Sequence, residues 1–183
     1  MFAGALAGTL ALMMPALRIP AADLRSYLNR YNYEADSALA HLRPAAANQG
    51  HLTRNQLHEL AFWKSKRPAS LVHENDEVFV KEITAFVFRA KHEYSRIGAL
   101  ALLAGVQYPT ASVILHFCVD DTYPILDYRA IWSLGLDQPT LYTPEYWVEY
   151  VVVCRSLAKQ HGMSVREFDK ALWQFSSENQ PSR

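Results

Sequence analysis

The residue types best placed for chemistry lie between Ala99 and Leu134. Asp127 is an isolated acid, with Ile125 and Leu126 before it and Ala130, Ile131 and Trp132 after it, where a helix is expected to open. A carboxylate among apolar neighbours at a helix start can be held partly desolvated without neutralising, because the helix end favours the anion. The same residue also reads as an ordinary N-cap aspartate, a role worth about 1 kcal/mol. Upstream, Gly105 can take the positive φ that ends one helix, and Pro109, with no N–H to lose, suits the first turn of the next. The backbone N–H groups from Val106 to Thr110 are then expected to be unpaired and outward-facing, an anion site suited to a nucleic-acid phosphate. A helical hairpin with a glycine turn can equally bind nothing.

The wider pattern is Gly105-Val106, then Thr110-Ala111, an apolar helix, a short loop and Pro124-Ile-Leu-Asp-Tyr-Arg129. It resembles the helix-hairpin-helix DNA glycosylase superfamily over about residues 97–135, a fifth of the chain. The family's hairpin commonly reads Leu-Pro-Gly-Val-Gly-x-x-Thr-Ala, and its catalytic Asp follows in a Val-Asp-type segment. The resemblance implies an all-α, compact multi-helix bundle with the hairpin at about 97–118. It also implies that Gly105, Val106, Gln107, Tyr108 and Thr110 hold phosphate and that Asp127 is the catalytic carboxylate. The partner implied is double-stranded DNA, with a flipped base excised. An alternative is a hairpin module that binds DNA without chemistry, and a third is a helical interaction protein in which the Gly105 turn is incidental.

There are departures. Gln107 replaces the hairpin's second Gly, which implies a less tight approach to phosphate. Bifunctional members carry a lysine nucleophile at positions that are Pro109 and roughly Gly98 here, so the pattern is the monofunctional one or that of a member without chemistry. Some members hold a C-terminal iron–sulfur cluster, which the two cysteines of this chain cannot ligate. No cofactor and no metal are expected.

Further candidates follow from residue type. Lys64-Ser-Lys66-Arg67 is the one tight basic cluster, either a DNA contact with Arg129 or a solvated helix end. Trp63, Tyr128 and Trp132 are candidate pocket rings that could as well be core. His58-Glu-Leu-Ala-Phe62 starts like a zinc-protease helix but lacks the second histidine, and Ser156-Leu-Ala-Lys159 lacks the companion motifs of acyl-serine enzymes. His116 and Cys118 read as interior residues, and Asp120-Asp121 as turn caps.

Half of the 183 residues are apolar and a fifth are charged, enough for one well-cored domain and too apolar for general disorder. Eighteen basic residues balance eighteen acidic ones, which excludes a wholly basic nucleic-acid trap while leaving room for a local patch. Residues 1–17 are apolar, lack a basic n-region and are short for a membrane span. The division expected is therefore an N-terminal extension over 1–20, a single helical domain over 21–176 and a frayed tail over 177–183, without a membrane partner and cytoplasmic.

The elements that must position the candidates read as helices throughout. Short helices are expected over Ala21–Arg30 and Tyr33–Leu42, with Arg43–Gly50 as a connector. Thr53-x-x-Gln56 and Ser164-x-x-Glu167 are capping boxes, and Pro68 is expected to end the helix that the first one opens. Glu74–Tyr94 reads as one long helix burying Val78, Ile83, Phe86, Val87 and Ala90. Thr143 or Pro144 opens a helix to about His161, in which Val151-Val-Val could instead be a short strand. The last helix buries Val165, Phe168, Leu172 and Phe175.

Overall fold

The computed structural model describes residues 15–32 and 34–181; the expectations for residues 1–14, for Tyr33 and for residues 182–183 lie outside them. Among the described residues the regular structure is entirely helical, without strands. In chain order the α-helices are α1 (Leu24–Arg30), α2 (Leu42–Gln49), α3 (Arg54–Lys64), α4 (Lys66–Ala69), α5 (Glu77–Arg89), α6 (Glu93–Leu100), α7 (Tyr108–Ile114), α8 (Tyr128–Ser133), α9 (Pro144–Gln160) and α10 (Val165–Asn179). Shorter 3-10 turns occupy Ala21–Asp23, Glu34–Leu39 and Ser70–Glu74, and a π-helical turn spans Leu115–Val119.

Local signals set most helix starts. Thr53 accepts from the Gln56 amide while the Gln56 side chain accepts from the Thr53 amide, and Ser164 and Glu167 repeat the exchange. Asp76 caps α5 through the Val78 and Phe79 amides, and Thr143 caps α9.

Several expected boundaries move. The connector Arg43–Gly50 is helix α2: Pro44 sits in the first turn, where no amide is needed, and three alanines follow. The helix opened by Thr53 stops at Lys64, with Ser65 extended, so Pro68 lies inside the separate turn α4. The Glu74–Tyr94 segment divides into α5 and α6, because Ala90 leaves the helix with ψ 144°. Its buried stripe is Val80, Thr84 and Val87, whereas Val78 is 60% exposed and Phe86 47%. Val151-Val-Val is in the middle of α9. The final helix continues to Asn179, and Glu178 receives a two-pronged bond from Arg30.

Among the described residues, contacts group the chain into two compact units, one of residues 15–32 with 126–181 and the other of residues 34–125, where the sequence reading keeps 21–176 together. In the first, α10 packs on α1 and α8, and Leu24, Trp147, Tyr150, Phe168 and Leu172 are the sealed interior. Ser133, fully buried, ties α8 to α10 by donating to the Leu172 carbonyl at 2.7 Å. Residues expected within an N-terminal extension belong to this core: Ile19 is 1% exposed, and the Arg18 amide donates to the Ser133 carbonyl.

In the second unit α3 packs on α4, α7 and the Ser70–Glu74 turn, and α5 on α6. Leu52, Leu57, Leu60, Ile97, Leu100 and Ile114 are buried there. No helix among the described residues is long and apolar enough to cross a membrane.

The α6–α7 connection is fixed by close packing. Gly105 has φ +78°, and a Cβ there would lie 2.6 Å from the Pro68 carbonyl oxygen and 3.0 Å from the Val72 amide nitrogen. Both the left-handed backbone and the space exclude a side chain. Gly105→Ala is expected to cost about 2–4 kcal/mol of stability, read as a lowered midpoint in urea unfolding; an unchanged midpoint would show that the turn is not packed this way.

Candidate functional site

Asp127 sits in extended backbone and opens α8, its Oδ1 accepting from the Arg129 amide at 2.9 Å. The carboxylate is half-buried, and Leu126, Ala130 and Ile131 around it are sealed. The next two residues face outward: Tyr128 is 38% exposed, and the Arg129 guanidinium lies over the Tyr128 ring at 5.2 Å and the Trp173 ring at 5.3 Å. The first turn of α8 therefore presents an acid, a ring and a cation in three consecutive residues.

The other end of α8 is closed from residues far away in sequence. Gly135, at φ +71°, lets the chain reverse with its amide on the Trp132 carbonyl, and a Cβ there would collide with the Ala16 carbonyl. Arg18 donates from Nε to the Trp132 carbonyl and from its amide to that of Ser133, a cation at the helix C-terminus. Trp132, a candidate pocket ring, is half-exposed and held in this arrangement: it stacks on Phe175 at 5.7 Å with Arg18 over its ring. It serves packing.

The hairpin is less open than the sequence reading expects. The Val106 amide donates to the Leu103 carbonyl at 3.0 Å, and Gly105, Val106 and Thr110 are all buried. The Asn75 side chain seals the turn further, accepting from the Ala104 amide and donating to the Ala104 and Val72 carbonyls. Gln107 is exposed and makes no side-chain cap, while Tyr108 is half-exposed. Of the five residues expected to hold phosphate, Gln107 and Tyr108 alone offer surface. The glycine serves contact with Pro68 and Val72, so the outward row of amides expected from Val106 onward is not formed at Val106. Nothing local in sequence marks Asn75 for this role, because its partner at the turn, Ala104, lies 29 residues away.

In the same unit Lys66 and Arg67 are exposed on α4, Lys66 lying over the Phe62 ring, and Lys64 is half-buried at the end of α3. Trp63 meets Phe117 edge to face at 5.3 Å, a packing contact. His116 is buried with Nδ1 2.8 Å from the Tyr123 carbonyl, and burial pushes the Cys118 thiol up to about 12. Asp120 accepts from the Thr122 amide in a turn. Ser156 and Lys159 are both exposed on α9, and His58 stacks with His73 at 4.5 Å. No group of three or more His, Cys, Asp or Glu that could hold a metal occurs among the described residues.

On α9, burial raises the Tyr150 phenol and the Cys154 thiol far above their ordinary values, so both stay protonated. Tyr146, stacked on Tyr150, keeps a buried hydroxyl without a partner. Arg166 neutralises the buried Asp169 at 2.6 Å. Glu149 on α9 is held above the usual carboxylate range, first by burial and then by the charge of Glu145.

Compared with models of known protein families, with curated sequences and with solved structures, the chain matches none.

Two outcomes follow from these surroundings. Asp127→Ala removes the cap and is expected to lower stability by about 1 kcal/mol in urea unfolding, whereas Asp127→Asn keeps a capping oxygen and leaves the midpoint near that of the wild type. Glu149, raised in the folded state, favours folding in its protonated form; that contribution is full below its unfolded pKa and is lost as pH rises through the folded one. Glu149→Gln is therefore expected to melt above the wild type at neutral pH, with the gap closing in acid; equal melting curves at both pH values would contradict the assignment.

Proposed function

We propose that the protein acts on DNA as a monofunctional glycosylase, with Asp127 as the working carboxylate. The observation that carries this reading is the first turn of α8, where a half-buried carboxylate is fixed by the Arg129 amide beside an outward ring and an outward cation. A nucleotide asks for those three groups: a negative charge near the sugar, a flat surface for the base and a donor for phosphate. The hairpin contribution is narrowed to Gln107 and Tyr108, the part of it that is accessible.

In the reaction, the target nucleotide leaves the stack at a cost of a few kcal/mol, least for a damaged or mispaired base. The C1′–N bond breaks with its electron pair departing on the base, and the sugar becomes oxocarbenium-like. Asp127 stabilises that positive charge and orients a water. The water oxygen bonds to C1′ and its proton ends on the base nitrogen, giving an abasic site and a free base. Arg129 holds phosphate or the neighbouring strand and takes no part in bond making.

A second reading is favoured by one observation: the Asp127 carboxylate is engaged in capping α8. On that reading the chain binds DNA and does no chemistry.

The experiment uses duplexes containing uracil, 8-oxoguanine, alkylated bases or mismatches, followed by hot alkali to reveal abasic sites. Strand breaks with the wild type, abolished in Asp127→Asn while duplex binding is kept, are the expected outcome. Salt-dependent binding with no breaks over the whole panel supports the second reading. Absence of binding even at low salt overturns both.

A further inference from the structure

Around Arg129 the first unit carries a run of cations and aromatic rings that extends well beyond the two groups, Tyr128 and Arg129, that the reaction above uses. α10 places Lys170 and Trp173 one turn apart, α1 delivers Tyr31 at its C-terminal end, and α8 adds Tyr128 and Arg129. The contacts form a chain. Lys170 Nζ lies 5.3 Å over the Tyr31 ring, Tyr31 meets Trp173 edge to face at 5.7 Å, and Arg129 lies over both Trp173 and Tyr128. Tyr31, Lys170, Trp173 and Arg129 are half-exposed and Tyr128 is exposed.

Arg129 decides what this row can take. Among the described residues it forms no ion pair and no side-chain hydrogen bond, and ring faces alone hold its guanidinium. By contrast, Arg166 and Arg30 nearby in the same unit are each committed to a carboxylate. A guanidinium that rests on rings keeps its in-plane N–H donors, which suit phosphate or a base edge. Cation–π contacts at an accessible surface contribute only about 0.5–1 kcal/mol each, so folding alone gains little from five such residues in one row.

We propose that the Lys170–Tyr31–Trp173–Arg129–Tyr128 row binds unpaired DNA, its rings stacking bases and its cations neutralising phosphates. Alternating rings and cations serve a single strand because a flat base face is available only where the strand is unpaired; in a duplex the bases already stack on one another. The proposal rests on the DNA reading above for its partner, and it goes further in naming the strand state and the surface. It does not depend on Asp127 doing chemistry.

The test is fluorescence anisotropy with a labelled oligodeoxythymidine and with a duplex of the same length, both at low salt. The wild type is expected to bind the single strand more tightly than the duplex. Arg129→Ala and Tyr128→Leu are each expected to weaken single-strand binding about tenfold, with melting temperatures near the wild type's. Arg129→Lys, which keeps the charge and loses the planar fork, is expected to weaken it as well. Failure of the wild type to bind oligodeoxythymidine overturns the proposal. So does equal or tighter binding of the duplex, or wild-type binding by both Arg129→Ala and Tyr128→Leu. Binding is measured here without base release: an inactive enzyme that still grips the single strand would sink the glycosylase reading and leave this one standing.

Discussion

A six-residue helix has too few internal hydrogen bonds to hold itself, and α8 exists because both its ends are closed from outside. Asp127 satisfies the first turn, while Arg18 and the Gly135 reversal satisfy the last. Ser133 then pins the helix to α10. The directions of Asp127, Tyr128 and Arg129 are consequences of that closure. Loosening any of the three fastenings would blur the whole turn, because none of these residues has a longer element to rely on.

The same economy governs the glycines. At Gly105 the missing side chain admits the Pro68 carbonyl, and at Gly135 it admits the Ala16 carbonyl. Both are approaches of backbone to backbone within one unit. A glycine followed by valine in a helical turn can bring a phosphate close, but here that closeness is spent on the protein's own main chain. What the α6–α7 turn offers to a partner is Gln107 and Tyr108, and any grip on a strand there depends on them.

Features set by a few adjacent residues were legible in the sequence. The Thr53 and Ser164 capping boxes, the Asp127 N-cap, the helix from Pro144 and the apolar face of α10 all follow from local spacing. The all-helical class followed from their sum. Misreadings came where a local rule met a neighbour out of sequence range. Proline and alanines at Arg43–Gly50 made a first turn and a helix where a connector was expected. Val78 and Phe86 kept the periodicity of a core face, yet the side of α5 that is covered is the one bearing Thr84, whose hydroxyl accepts from the Leu52 amide. The seal on Gly105 and the ring row around Arg129 depend on partners 29 to 142 residues away in the chain, and no spacing rule reaches that far. Of the expected site, Asp127, Tyr128 and Arg129 stand at one turn, Trp63 and Trp132 serve packing, and three of the five hairpin residues are interior.

On the glycosylase proposal, Asp127 meets a positively charged sugar. The most direct measurement is a crystal structure of the protein with a duplex bearing a cationic pyrrolidine in place of one deoxyribose, a mimic of the charge developed as the base departs. The ring nitrogen is expected within ion-pair distance of the Asp127 carboxylate, with Tyr128 or Arg129 against the adjoining nucleotide. A pyrrolidine bound elsewhere, with Asp127 contacting protein groups alone, would contradict the proposal.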